Sequence, residues 1–167
     1  MTSWVVRAGK YGIDEGLNLK KNLASIRWDD FPEKLNTLNK DDLREHLVKT
    51  YPNEAEGRLR NWLSQLYSFG NEIRKGDIII LPFKNQLTIA AGRVTKPYCF
   101  ESALISADNH TLLHHIISVE WRVSDLLRAD LNEETLRQLN RPPTVFKINA
   151  YAEECIINAA LKRDIII

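Results

Sequence analysis

The segment that most restricts the fold is Asp77 to Phe83, a continuous apolar run centred on Ile78-Ile79-Ile80-Leu81. Rich in β-branched residues, it reads as a strand. The tight polar turn Lys84-Asn85-Gln86 follows, and Leu87 to Val94 returns as its hairpin partner, with Gly92 marking a bulge or a close approach. Any fold for this chain must be built around that hairpin.

Upstream, Ser3 to Ala8 alternates as a strand and Gly9-Lys10-Tyr11-Gly12 makes a turn. Asp14 to Lys21 reads as a short helix, and Leu23 to Trp28 as a second strand that stops at Asp29-Asp30-Phe31-Pro32. Asn39 caps a helix beginning Lys40-Asp41-Asp42-Leu43, and Pro52-Asn53-Glu54 restarts it. From Ala55 to Glu72 and on to Ile73, the residues Leu59, Trp62, Leu63, Leu66 and Ile73 recur at helical spacing. Arg58, Asn61, Gln65 and Phe69 form a neighbouring stripe.

Downstream, Pro97-Tyr98 begins an extended piece and Leu112 to Val123 is a long strand. Asn132 caps a helix to Leu139, Thr144 to Ile148 is a last strand, and Ala150 to Lys162 is a terminal helix. This order is not the alternating βαβ pattern of a doubly wound sheet. It predicts an α+β fold, a small bent antiparallel sheet or partly open β-barrel with helices packed on it. One domain over residues 1–167 is expected, with a core at about 3–148.

A hydrophobic fraction of 44% and a charged fraction of 27% are ordinary for a chain with a real core and argue against disorder. No apolar run approaches the ~20 residues of a membrane helix, and the start lacks a signal peptide, so a cytoplasmic protein is expected. Cys99 and Cys155 form no CxxC pair and no zinc spacing, so neither a metal nor another cofactor is expected. The net charge of +1 leaves nucleic acid open, because a basic face can sit on a neutral domain. A chain held by phosphate contacts alone would be more basic, so a specific pocket must supply part of any such affinity.

The sequence has no glycine-rich phosphate loop and no nucleophile elbow. It has no Glu-x-Lys or Gln-x-Lys, the element a restriction-type nuclease core uses to hold magnesium and activate water. His114 and His115 are adjacent on a strand and point to opposite faces, which suits structural roles better than chelation. A non-catalytic binding domain is the expectation.

Four pieces then carry a resemblance. They are Trp4 to Gly12, Ser25 to Asp29, Gln65 to Phe69 running into Lys75-Gly76-Asp77 and Ile78 to Pro82, and Ile89 to Val94 with Tyr98. In this order they resemble the amino-terminal domain of Mrr-type modification-dependent restriction endonucleases and related defence proteins. That domain is similar to the EVE and YTH domains of the PUA-like superfamily. The resemblance spans roughly Ser3 to Trp121, with Thr144 to Ile148 as a closing strand. Such domains commonly read Ile-Gly-Trp in the second strand, where this chain has Arg27 in place of the glycine. The accompanying nuclease domain is not among these residues, so the resemblance implies a fragment or a stand-alone reader with a fused or associated nuclease.

The resemblance implies a pocket for a flipped base and, as partner, duplex DNA carrying a modified base. Extruding the base lets a pocket inspect every edge, and stacking returns about 1–3 kcal/mol. Trp28, at a strand end beside a proline-containing loop, is the first candidate wall, with Phe69 and Tyr98 beside it. Asn61 and Gln65 carry the donors and acceptors to read a base edge, and Ser25 completes the candidate pocket. Candidate phosphate contacts are Arg7, Lys10, Lys20, Lys21, Arg27 and Arg58. A core tryptophan at 28 and a solvated helix face at 61 and 65 fit the same residues; Trp4, Trp62 and Trp121 are assigned to the core. The alternative function is a sensing or interaction module that binds a protein or small nucleotide, and the third is a cryptic enzyme.

Overall fold

The computed structural model describes residues 1–28, 31 and 33–167. Its strands are β1 (Ser3–Val6), β2 (Leu23–Ile26), β3 (Ile78–Pro82), β4 (Thr88–Phe100), β5 (His115–Leu127) and β6 (Val145–Lys147). Its α-helices are α1 (Glu15–Lys21), α2 (Lys40–Thr50), α3 (Glu56–Tyr67), α4 (Glu133–Leu139) and α5 (Ala150–Leu161). The strands form one open sheet in the order β2-β5-β4-β3-β1-β6.

The α+β architecture is as expected, but the sheet is mixed rather than wholly antiparallel. β1 runs parallel to β3, with Ser3 opposite Ile78 and Val5 opposite Ile80. A parallel pair needs a long crossover, and the segment carrying α1, β2, α2 and α3 supplies it. Parallel pairing does not show in the apolar pattern of a strand, which is why the sequence did not reveal it.

The apolar run of β3 follows from burial on both faces. Ile79 packs with Trp4, Leu43, Leu47, Leu66 and Phe69, under α2 and α3. Ile78 and Ile80 pack with Leu139, Ala152 and Ile156, under α4 and α5. Successive side chains of a strand alternate faces, so two covered faces require an unbroken apolar sequence.

Local signals place the rest. Asn39, Asn132 and Asn149 each accept backbone N–H groups at the starts of α2, α4 and α5. Asp77 accepts from Thr2 N, Trp4 Nε1 and Arg74 N, which ties the start of β1 to the start of β3. β4 continues through Pro97 and Tyr98 instead of stopping at Val94, its pairing with β5 irregular between Lys96 and Cys99. That irregularity accommodates a residue with no N–H to donate. β5 is shifted to His115–Leu127 from the expected Leu112–Val123. At Gly92 an added Cβ would lie 2.4 Å from Glu120 O and 2.7 Å from Trp121 Cα, so the expected close approach is real. Asp29, Asp30 and Pro32, expected to end the second strand, lie outside the described residues.

Candidate functional site

Parallel neighbours cannot share a tight turn, so the chains leaving β1 and β3 diverge. Between them opens a cleft of about 520 Å³. Its walls are Arg7 to Gly12 and Glu15 after β1, Pro82 to Lys84 after β3, Arg128 after β5, and Leu139 to Pro142 after α4.

The charge in this cleft is unbalanced. Among the described residues, Arg7, Lys10, Lys84, Arg128 and Arg141 line it against the single carboxylate of Glu15. Among the described residues, no carboxylate pairs with Arg7, Arg128 or Arg141. Arg7 instead donates to Pro143 O at 2.5 Å and Leu139 O at 2.7 Å, and Arg128 to Phe83 O at 2.9 Å. Arg7 and Arg141 both lie over the Phe146 ring, at 5.6 and 4.8 Å from its centre. Burial, and then repulsion from Arg128, lower the Arg7 pKa. Burial raises the Glu15 carboxyl, which accepts from Lys84 N at 2.7 Å. A concave surface with excess fixed positive charge attracts anions.

At the mouth stands Tyr11, 69% exposed, with the Lys10 ammonium 5.0 Å from its ring centre. Its φ of 61° is left-handed, between Gly9 at 77° and Gly12 at 75°.

Behind the turn lies a second polar cluster. Arg27 Nε donates to Asp14 Oδ2 at 2.6 Å, and its two terminal nitrogens reach Asp14 Oδ1 at 3.1 Å and Asp108 Oδ2 at 3.0 Å. Asp14 also accepts from Ala107 N, and Asp108 from the Ser106 hydroxyl and His110 N. The segment between β4 and β5 is thereby tethered to the end of β2. Arg27 was expected to contact phosphate; held between two carboxylates, it sits in a cluster that is net negative and does not attract one.

Trp28 is half-buried just beyond β2. Its ring meets Trp62 edge-on at 6.3 Å, and Trp62 meets Tyr51 at 5.0 Å, so three half-buried aromatics form a row. Phe69 and Tyr98, expected beside Trp28 as pocket walls, are instead core residues at 0% and 7% exposure. The Tyr98 hydroxyl accepts from Leu35 N at 3.2 Å and lies 3.0 Å from His115 Nδ1. His115 Nε2 sits 2.8 Å from the Phe31 carbonyl, which can only accept, so Nε2 carries the proton and Tyr98 donates to Nδ1. Burial pushes the Tyr98 hydroxyl up to about 12 and the His115 imidazole down to about 4. Phe69 and Tyr98 were expected as pocket walls but complete the interior, because both faces of the sheet are covered.

The other candidates also divide. Gln65 Oε1 accepts from Thr144 N and Val145 N at 2.8 and 3.0 Å, and its Nε2 donates to Asn61. It is 6% exposed and its side-chain oxygen pins the edge strand β6. Asn61 lines a smaller groove of about 350 Å³ with Gln65, and Trp28 is not among its walls. Ser25 is buried and donates to Asn18 Oδ1. Arg58 is exposed and pairs with Glu54. Lys20 and Lys21 are exposed in the last turn of α1. Of the candidate phosphate contacts, Arg7 and Lys10 meet in the cleft. Tyr11, Lys84, Arg128 and Arg141 join them unforeseen. The Gly-Lys-Tyr-Gly turn was a usable sign for Tyr11; the others are brought in by topology. Trp4 is core as expected, whereas Trp62 and Trp121 are half-buried against it.

This architecture, an open mixed sheet with helices on both faces, is YTH-like. The YTH domain of the Zygosaccharomyces rouxii MRB1 protein, solved in complex with N6-methyladenosine RNA, superposes with a TM-score of 0.50 at 11% identity. The match covers 94% of this chain and 84% of that one. The Mmi1 YTH domain, solved in complex with RNA, gives a TM-score of 0.45 at 8% identity over 98% of this chain and 82% of that one. The chain belongs to the family described as Domain of unknown function (DUF8426), whose model matches residues 13–149. No curated protein matches the sequence.

Proposed function

We propose that this domain is a non-catalytic reader that binds nucleic acid carrying a modified base. The observation that carries the proposal is the cleft beyond β1 and β3, where, among the described residues, five basic side chains face one carboxylate. Cations without carboxylate partners are what a polyanion requires, and they supply the salt-dependent part of its affinity. The fold adds support: the MRB1 YTH domain was solved with N6-methyladenosine RNA, so this architecture can hold a modified base.

Trp28 is the wall on which the flipped base stacks. Its neighbour Arg27 abuts the rim of the cleft: a Cβ on Gly9 would be 3.3 Å from Arg27 Nε. A strand gripped in the cleft therefore passes close to Trp28. DNA is the favoured polymer, and a restriction or defence nuclease the favoured effector, on the Mrr-type resemblance of Trp4 to Gly12 and Lys75 to Pro82.

A salt titration tests the nucleic-acid reading. Affinity for a labelled oligonucleotide should fall linearly in log–log form with salt, and Arg141→Gln should reduce the slope by about one phosphate contact. Binding that ignores salt, or a slope unchanged in Arg141→Gln and Lys84→Gln, would count against the cleft as the backbone site.

A further inference from the structure

Five cations explain an anion, but they do not explain Tyr11. Its ring lines the cleft and is mostly exposed, whereas Phe83, the other aromatic residue of the lining, is buried. Folding alone gives no reason to display it, since burying an aromatic ring is favourable and this one contributes little to any core cluster.

Nor is the ring carried on a slack loop. A Cβ on Gly12 would lie 2.4 Å from Glu15 Oε1, so the turn is packed directly on that carboxylate. The carboxylate is in turn fixed by Lys84 N, and Asn85 Nδ2 donates to Tyr11 O at 3.4 Å. Tyr11 therefore projects from a braced turn in a left-handed conformation that a bulky residue adopts at a cost. Its ring meets the Lys10 ammonium, while Arg7, Arg128 and Arg141 line the cleft beside it.

A flat aromatic surface next to convergent cations matches the two halves of a nucleotide, a stacking base and a phosphate. The cleft volume of about 520 Å³ falls in the range of small-molecule sites. A paired base inside a duplex cannot offer its face to Tyr11, whereas an unpaired one can. We propose that the cleft is a subsite for one unpaired nucleotide, its base stacked on Tyr11 and its phosphate held by Arg7, Arg128 and Arg141. The proposal rests on the nucleic-acid reading above and adds that the gripped strand is locally unpaired, as a duplex opened by base flipping would be.

The test compares probes that differ only in bases. The full chain is titrated with short single-stranded oligothymidylate, with an abasic strand of equal phosphate number, with thymidine monophosphate and with inorganic phosphate. Wild type and Tyr11→Phe should bind oligothymidylate about tenfold more tightly than the abasic strand. Tyr11→Ala should bind the two alike, while Arg141→Gln weakens both together and keeps their ratio. Tyr11 is exposed, so these variants fold, which circular dichroism confirms. A Tyr11→Ala protein that still prefers the base-bearing strand overturns the subsite, as does wild type that binds the abasic strand equally well. Oligonucleotide binding with no dependence on Tyr11 rejects the subsite and leaves the nucleic-acid reading standing. Binding of thymidine monophosphate, dependent on Tyr11 and not matched by inorganic phosphate, with no oligonucleotide bound, does the reverse.

Discussion

Arg27 grips both carboxylate oxygens of Asp14, at 2.6 and 3.1 Å, and Asp14 has no exposed surface. A bidentate pair of this kind fixes orientation as well as charge. It joins the end of β2 to the turn that forms one wall of the cleft, and through Asp108 it reaches the segment between β4 and β5. Arg27 is thus a tether.

Arg27→Ala should therefore act on stability first. It leaves the buried Asp14 carboxylate without its cation, and the loss expected in urea denaturation is about 2–4 kcal/mol. Arg27→Lys keeps the charge but not the fork and should fall between. A change below about 0.5 kcal/mol for Arg27→Ala would place the pair among surface bridges of little worth.

His115 gives the protein an acid sensitivity with a defined sign. Its folded pKa of about 4, depressed chiefly by burial, lies below the ordinary 6.5. Below 6.5 the unfolded chain takes up a proton that the native state refuses, so stability is full above that value and falls as pH drops toward 4. From pH 7 to about 4.5 this amounts to about 2–3 kcal/mol. His115→Gln should be less stable at neutral pH yet lose this part of the slope. The comparison isolates His115 from Glu15, whose raised pKa adds slope of the opposite sign, and from Asp108, held well below the usual carboxylate range and titrating at lower pH. Identical slopes in wild type and His115→Gln would contradict the assignment.

How much of this was legible in the sequence varies with the range of the interaction. The Asn39 and Asn132 caps, the β3 run and the Gly92 contact were readable because each depends on neighbours in sequence or on one period. The parallel β1–β3 pair was not, since a strand's residues do not encode its partner's direction. The site was half legible for the same reason. Arg7 and Lys10 lie beside a recognisable turn, but Arg128 and Arg141 reach the cleft through the fold. Phe69 and Tyr98 could not be told from pocket-wall aromatics, because helical and strand periods show which residues share a face, not what covers it.

Gln65 illustrates the same limit and supports a third prediction. Its side-chain oxygen accepts two backbone N–H groups of the β6 edge. Gln65→Leu leaves both donors unpaired, at about 1–3 kcal/mol each, and should unfold at correspondingly lower urea. Gln65→Glu retains the acceptor and should recover much of the loss. Weakened nucleic-acid binding by a stable, folded Gln65→Leu would restore the residue as a base reader.

The central claim is that this fold reads a modified base while the cleft holds the strand. The most direct measurement is a titration of the full chain with duplexes carrying one modified cytosine or adenine and with matched unmodified duplexes, for wild type and Trp28→Ala. The account predicts that wild type prefers one modified duplex by about tenfold or more, as stacking worth 1–3 kcal/mol implies, and that a folded Trp28→Ala keeps only the salt-sensitive, modification-blind binding. Equal affinity for every modified and unmodified duplex, or full discrimination by folded Trp28→Ala, would contradict it.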